Sequence, residues 1–182
     1  MDTRQHILIA AHDLFYRQGF HACGVELLAQ QAGTTKRTLY AHFGSKDGLI
    51  DAVLVYRHEQ FMARMQAALQ KRPAREADRA YLDFIAAWTQ SAGFCGCMFI
   101  NASAEYADAQ SAPHQHAARH KTQVRQLLLS RLQEGGFERA EAVADLLFLY
   151  GEGMIVAAQA GQFSFKARIP DMLRSIRQIQ SS

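Results

Sequence analysis

The sequence predicts an all-α protein, with an N-terminal three-helix helix-turn-helix head followed by a larger helical C-terminal domain. Three observations predict it. Only three prolines interrupt 182 residues of which 49% are hydrophobic, enough chain and apolar surface for a proper core. Apolar residues recur at helical spacing along a run of segments with brief breaks and no repeats. Two short segments of this kind, Val25/Leu28/Ala29 and Leu39/Phe43, flank a glycine at position 33. The expected division is 1–50 for the head and 51–182 for the body.

The head follows in order. Its first six residues are polar and the apolar run after them is the stripe of an amphipathic helix, not the core of a secretory leader. A second short helix carries Val25, Leu28 and Ala29 and leads into the turn at Gly33. A third helix starts near Thr35 and, at about 100° per residue, turns Leu39 and Phe43 inward. Its opposite face carries Arg37, Thr38 and Ala41, with Lys36 and Tyr40 stacked on one flank and His42 on the other. That surface has donors, one small residue and no carboxylate, which suits a groove lined with phosphates. Arg37 matches a guanine edge, Thr38 meets either base type, and Ala41 lets the helix sit close against a thymine methyl. Thr35, Lys36, Tyr40, His42 and Lys46 complete the expected DNA contacts, the cations and polar tips placed for backbone phosphates.

Bulk charge does not reveal this surface. Net charge is +3, and residues 1–50 hold Arg4, Arg17, Lys36, Arg37 and Lys46 against Asp2, Asp13, Glu26 and Asp47. Placement does, because the bases cluster where a groove would lie.

Over residues 4–54 the chain resembles the TetR (tetracycline-repressor-like) family of bacterial transcription regulators. The matching residues are Arg4, Ile7, Ala11, Leu14, Phe15, Gly19, Phe20, Val25, Ala29, Ala32, Gly33, Lys36, Thr38, Leu39, Tyr40, His42, Phe43, Ser45, Lys46, Asp47 and Leu49. The resemblance implies a third helix lying in the major groove and a fourth whose start touches the backbone, with Ser45 as its cap and Lys46 at its positive end. The chain departs from the family where the second helix usually opens on a threonine or serine pair. Cys23 and Gly24 stand there, and no phosphate contact is assigned to them. Arg37 replaces the commonest family residue, glycine, and is expected to tune the choice of operator.

The body begins with a helix over residues 45–70, ~39 Å long at ~1.5 Å per residue, with Leu49, Val53, Tyr56, Phe61, Met65 and Leu69 around its inner face. Pro73 breaks it. Tyr81, Leu82, Ile85 and Trp88 mark a helix ending at Gly93, after which Gly93-Phe94-Cys95-Gly96-Cys97-Met98 reads as a loop. A short helix is expected over 101–108, and another from Pro113 to about Gln133 with Val124, Leu127, Leu128 and Leu132 as its stripe. The helix over 139–160 is apolar nearly all round, with Gly151 and Gly153 flattening one side, so it needs burial on all sides. The last helix, from about Pro170, carries Ile169, Leu173, Ile176 and Ile179. The resemblance implies a homodimer through these last two helices, with Leu146, Leu149, Tyr150, Gly153, Leu173 and Ile176 as interface candidates, presenting two recognition helices to a palindromic site on double-stranded DNA.

Tyr81, Phe84, Trp88, Phe94, Met98, Phe99 and Tyr106 are candidates for a small-molecule effector pocket between helices, the alternative being ordinary core packing. Residues 96–101 with Glu105 resemble the start of the sixth helix in one subgroup of the family, some members of which use a cysteine there to sense electrophiles or oxidants. Cys95 and Cys97 are accordingly sensor candidates, against the alternative of small buried hydrophobes in a reducing cytosol. His114, His116 and His120 suggest a metal, but Arg119, Lys121 and Arg125 stand among them with no acid nearby, and a solvated basic face is the better account. No cofactor and no metal is expected. A cysteine-dependent enzyme is the reading from another class; it lacks a phosphate loop, a nucleophile elbow and the Cys-x-x-Cys spacing. No run approaches the ~18 to 20 apolar residues of a membrane span, and a cytoplasmic protein is expected.

Overall fold

The structure, a computed structural model, describes residues 2–161 and 164–180. The described regular elements are all helical: α1 (Thr3–Gln18), α2 (Val25–Gln31), α3 (Lys36–Phe43), α4 (Lys46–Gln70), α5 (Ala77–Thr89), α6 (Met98–Glu105), α7 (Ala112–Glu134), α8 (Ala140–Gln159) and α9 (Ile169–Gln180), with short 3-10 turns at Ala74–Glu76 and Lys166–Arg168. No described helix is long and apolar enough to cross a membrane. They form two compact units. The first holds the chain up to Gln60 with Met98–His120, the second Phe61–Cys97 with the chain from Lys121 onward. The expected boundary after residue 50 falls inside α4, which runs on without a break.

In the first unit Asp2 caps α1, its carboxylate accepting from Gln5 N at 2.7 Å. Gly19, at φ +82°, ends the helix and donates its N–H to Phe15 O at 2.9 Å. Ile7, Leu8, Ala11, Leu14 and Phe15 of α1 are buried with Phe20, Leu28, Ala29 and Leu39, which gives the head its own core. Each large side chain there contributes about 1.5–3 kcal/mol by leaving water. The N-terminal half of α4 joins this unit, with the Arg57 guanidinium over the Tyr16 ring at 4.8 Å and Tyr56 edge-on to His12 at 5.6 Å.

In the second unit α5 packs on α8. Tyr81 is 1% exposed and sits in a notch that exists because residue 151 lacks a side chain: a Cβ there would run into the Tyr81 hydroxyl. Burial pushes the Tyr81 phenol far above its ordinary value. Leu82, Ile85, Ala86, Val143, Leu147 and Ile155 fill the same layer.

Three expected elements are corrected. The helix through Trp88 ends at Thr89, not Gly93, and Ser91 N closes it on Trp88 O at 3.0 Å. The helix expected over 101–108 is Met98–Glu105, since Gly96 at φ +91° finishes the loop and frees the next residues to start helix at once. On α9 the regular stripe faces the chain's own interior: Leu173 is 6% and Ile176 0% exposed, so neither is available to an outside partner. Periodicity locates a buried face without saying what buries it.

Candidate nucleic-acid interface

Between α2 and α3 the chain reverses through Gly33, at φ +56°, a conformation favourable only for glycine. Thr34 N then bonds back to Ala29 O at 2.9 Å. Thr35 caps α3: its hydroxyl accepts from Thr38 N at 3.1 Å and lies 2.9 Å from the Thr38 hydroxyl, so both side chains are held in place before any ligand arrives. Leu39 is fully buried and anchors the helix. Phe43 is half-buried beneath Arg4, whose guanidinium lies 5.0 Å from the ring centroid.

Outward, Thr35, Lys36, Arg37, Ala41 and His42 are exposed and Thr38 and Tyr40 half-exposed, one continuous face of α3. Lys36 lies 5.9 Å from the Tyr40 ring centroid, the stacked flank that the i, i+4 spacing demands. Gly44, at φ +75°, stops α3, and the Ser45 hydroxyl accepts from Gly48 N at 3.0 Å, capping α4 with Lys46 as its first residue. A cation at a helix start, beside unpaired backbone N–H groups, is a ready place for a phosphate.

The expectation of a carboxylate-free surface is corrected. Glu26 of α2 reaches across the turn to Lys36 Nζ at 2.9 Å. That hydrogen bond holds the Glu26 carboxyl below its usual range and raises the Lys36 ammonium. At the start of α2, Gly24 supplies no capping hydroxyl, and Cys23 is fully buried with its thiol donating to Gly19 O at 3.1 Å; burial pushes that thiol up.

The aromatic effector candidates divide between the two units. Tyr81, Phe84, Trp88 and Phe94 belong to the second, where Trp88 meets Phe94 edge-on at 5.3 Å and Phe61 contacts both Phe84 and Trp88. Met98, Phe99 and Tyr106 belong to the first. Phe99 stacks at 3.7 Å on the buried His120, whose Nδ1 lies 2.9 Å from His58 Nδ1. Tyr106 stacks on His21 at 4.7 Å, so it serves the head rather than a shared pocket.

Cys95 is half-buried and Cys97 is 3% exposed, with Lys121 Nζ 3.6 Å from the Cys97 sulfur. The basic face expected around the histidines is also corrected: Asp51 lies 3.5 Å from His116, Glu152 binds Lys121 at 2.6 Å, and Asp145 pairs with Arg125. These acids come from α4 and α8, distant in sequence. Among the described residues no group of three or more His, Cys, Asp or Glu side chains has the geometry to hold a metal ion. Of the expected dimer residues, Leu149 is 65% exposed and Gly153 exposed, Leu146 and Tyr150 are half-buried, and Tyr150 Oη lies 2.7 Å from Ser175 Oγ.

Sequence reasoning gave no role to Glu105. Its carboxylate accepts from Phe20 N at 3.0 and 2.9 Å and from His21 N at 2.7 Å, and lies 3.0 Å from His21 Nδ1. No local pattern could have exposed a contact between residues 84 and 85 apart.

The family model described as bacterial regulatory proteins, tetR family, matches residues 7–53. The transcriptional activator FasR of Mycolicibacterium smegmatis is 36% identical over 89 residues, 46% of this chain and 41% of FasR, so the chain spans less than half of that relative. The transcriptional repressor ComR of Escherichia coli is 29% identical over 170 residues, 87% of this chain and 80% of ComR. A TetR-family transcriptional regulator from Streptomyces coelicolor superposes with a TM-score of 0.86 at 28% identity, covering 98% of this chain and 94% of that one. The helix-turn-helix geometry and these likenesses agree: residues 7–53 are a DNA-binding head of the tetR family of bacterial regulatory proteins, and the chain as a whole shares the fold of a TetR-family transcriptional regulator.

Proposed function

We propose that the protein is a dimeric, effector-responsive transcriptional regulator in the cytoplasm that binds a palindromic operator through α3 and releases it when a small molecule acts on the body. The observation that carries this reading is the exposed α3 face, where Arg37, Thr38 and Ala41 project between two capping hydroxyls and the Lys46 helix start. Arg37, Thr38 and Ala41 choose bases; Thr35, Lys36, Tyr40, His42 and Lys46 hold the backbone. Residues 1–50 act as the reading head and 51–182 as the sensing and dimerising body. Repression is the sign proposed, supported by the alignment with the repressor ComR along most of the chain, whereas the activator FasR aligns over 89 residues only.

Selection of bound duplexes from random sequence tests the reading. One palindromic sequence retained at high salt is expected, because non-specific contacts weaken steeply with salt while base contacts persist. Recovery of no preferred sequence overturns it.

A second reading, thiol-based sensing of an oxidant or electrophile, is favoured by Lys121 Nζ beside the Cys97 sulfur in a polar pair with Glu152. Replacing Cys95 and Cys97 by serine should then abolish release by such reagents; full release from the double variant sinks it.

A further inference from the structure

The geometry points to Glu105 as the positioning residue that fixes the reading head for operator binding, by clamping the corner between α1 and α2 onto the end of α6. This inference rests on the DNA-binding reading above. Two backbone N–H groups and one imidazole converge on a single carboxylate, at 2.7–3.0 Å. Bonds to an ionised acceptor are about twice as strong as neutral ones. The clamp is shaped from both sides. Residue 19 is a glycine at φ +82°, and a Cβ there would sit 2.7 Å from Glu105 Oε1, so the carboxylate reaches the corner only because that position is bare. The next residue, Tyr106, lays its ring on His21 at 4.7 Å and edge-on to Phe20 at 6.0 Å.

The clamped corner matters because of what it joins. The head has a core of its own, from Ile7 through Leu39, and the half-buried Glu105 is not one of its buried residues. Glu105 therefore grips the head from outside, at the loop from which α2 and then α3 set off. The other end of α6 is held by Phe99 stacked on His120. Its first residue, Met98, follows Cys97, the point where the chain passes from the second unit to the first. A helix fixed at one end by stacking and at the other by a carboxylate holds the corner that leads into α2 and α3 in one place on α6. Two heads of fixed orientation are what a palindrome reads; one head on one half-site does not need it.

The test uses the full-length protein and two synthetic duplexes, the palindrome selected by the unaltered protein and the same sequence with one half-site scrambled. Glu105→Gln keeps the shape but turns an amide donor toward donors. It should weaken binding to the palindrome by about tenfold, the scale of losing one charge-assisted bond, and leave half-site binding within about twofold. Amide exchange should quicken at Phe20 and His21 while Phe15 and Leu39 stay protected. Gly19→Ala, which pushes the carboxylate away from the other side, should reproduce this pattern. Together the two should cost less palindrome affinity than the product of their separate losses. Unchanged palindrome binding with quickened exchange overturns the inference. So does a parallel loss on both duplexes with exposed core amides, which marks a merely structural role. If the unaltered protein selects no palindrome, the DNA-binding reading itself fails and takes this inference with it.

Discussion

Glu26 on α2 holds Lys36 on α3 by an ion pair of 2.9 Å, so the exposed face of α3 has an anion paired to its first residue. Both side chains are well exposed, and the pair must open for Lys36 to reach a phosphate. Glu26→Gln removes both the competing acceptor and a negative charge that repels DNA. Affinity for all duplexes should rise together, and the slope of log K against log salt should steepen by up to about 0.9, one added phosphate contact. Titrations at several salt concentrations read this out; unchanged affinity and slope on every duplex mean that the Glu26–Lys36 pair does not compete with DNA.

On the proposed function, Arg37 reads a base and Lys46 holds the backbone. Arg37→Ala should cost ~1–3 kcal/mol on the selected operator and relax preference at one position in each half-site. Lys46→Ala should weaken every sequence alike. Repeating the selection with each variant checks the sorting, which fails if the two give the same profile.

The head was legible because its signals are local. A glycine at the turn, a threonine at the cap and apolar residues four apart each act within one helical turn, and the structure places Gly33, Thr35 and Leu39 accordingly. What could not be read joins distant residues. Glu105 to Phe20, Lys121 to Glu152 and Asp51 to His116 each pair groups on different elements, and neither partner's neighbourhood in sequence announces the other. The apolar stripe of α9 shows the remaining ambiguity. Leu173 and Ile176 are spaced equally well for a second copy and for their own core, and the structure chooses the core.

Gly151→Ala should destabilise the body. The new methyl meets the Tyr81 hydroxyl in a fully packed layer, and overpacking of this kind costs ~1–3 kcal/mol. For a chain of this size that lowers the melting temperature by about 2–4 °C per kcal/mol. Tyr81→Phe removes the atom struck first and should recover part of the loss in the double variant, as scanning calorimetry can measure. A double variant less stable than Gly151→Ala alone means that the hydroxyl is not the obstacle.

Acid should release the Glu105 clamp. Burial raises this carboxyl, but the bonds from His21 N, Phe20 N and the His21 ring together outweigh it and leave it below its ordinary value of 4.5. A carboxyl depressed in the folded state contributes stability that is present above its unfolded value and lost as pH falls through the folded one. The stability difference between the unaltered protein and Glu105→Gln should therefore be constant near neutrality and shrink below about pH 4.5. Chemical denaturation at a series of pH values tests it; a difference that grows on acidification contradicts the clamp.

On α8, Leu149 is 65% and Val156 51% exposed, with the bare Gly153 between them at i+4. Three such positions on one face leave apolar surface in water beside a backbone that another helix can approach closely. Burying an exposed leucine or valine gains about 1.5–3 kcal/mol each, and a twofold axis counts every such gain twice. Leu149→Glu sets a carboxylate at that face, where the symmetry brings it near its own copy. The unaltered protein should sediment as a dimer and the variant as a monomer that keeps its helical content and loses the palindrome while still binding single half-sites. A variant that remains dimeric places the seam on another face, and the exposed stripe of α8 then needs a different partner.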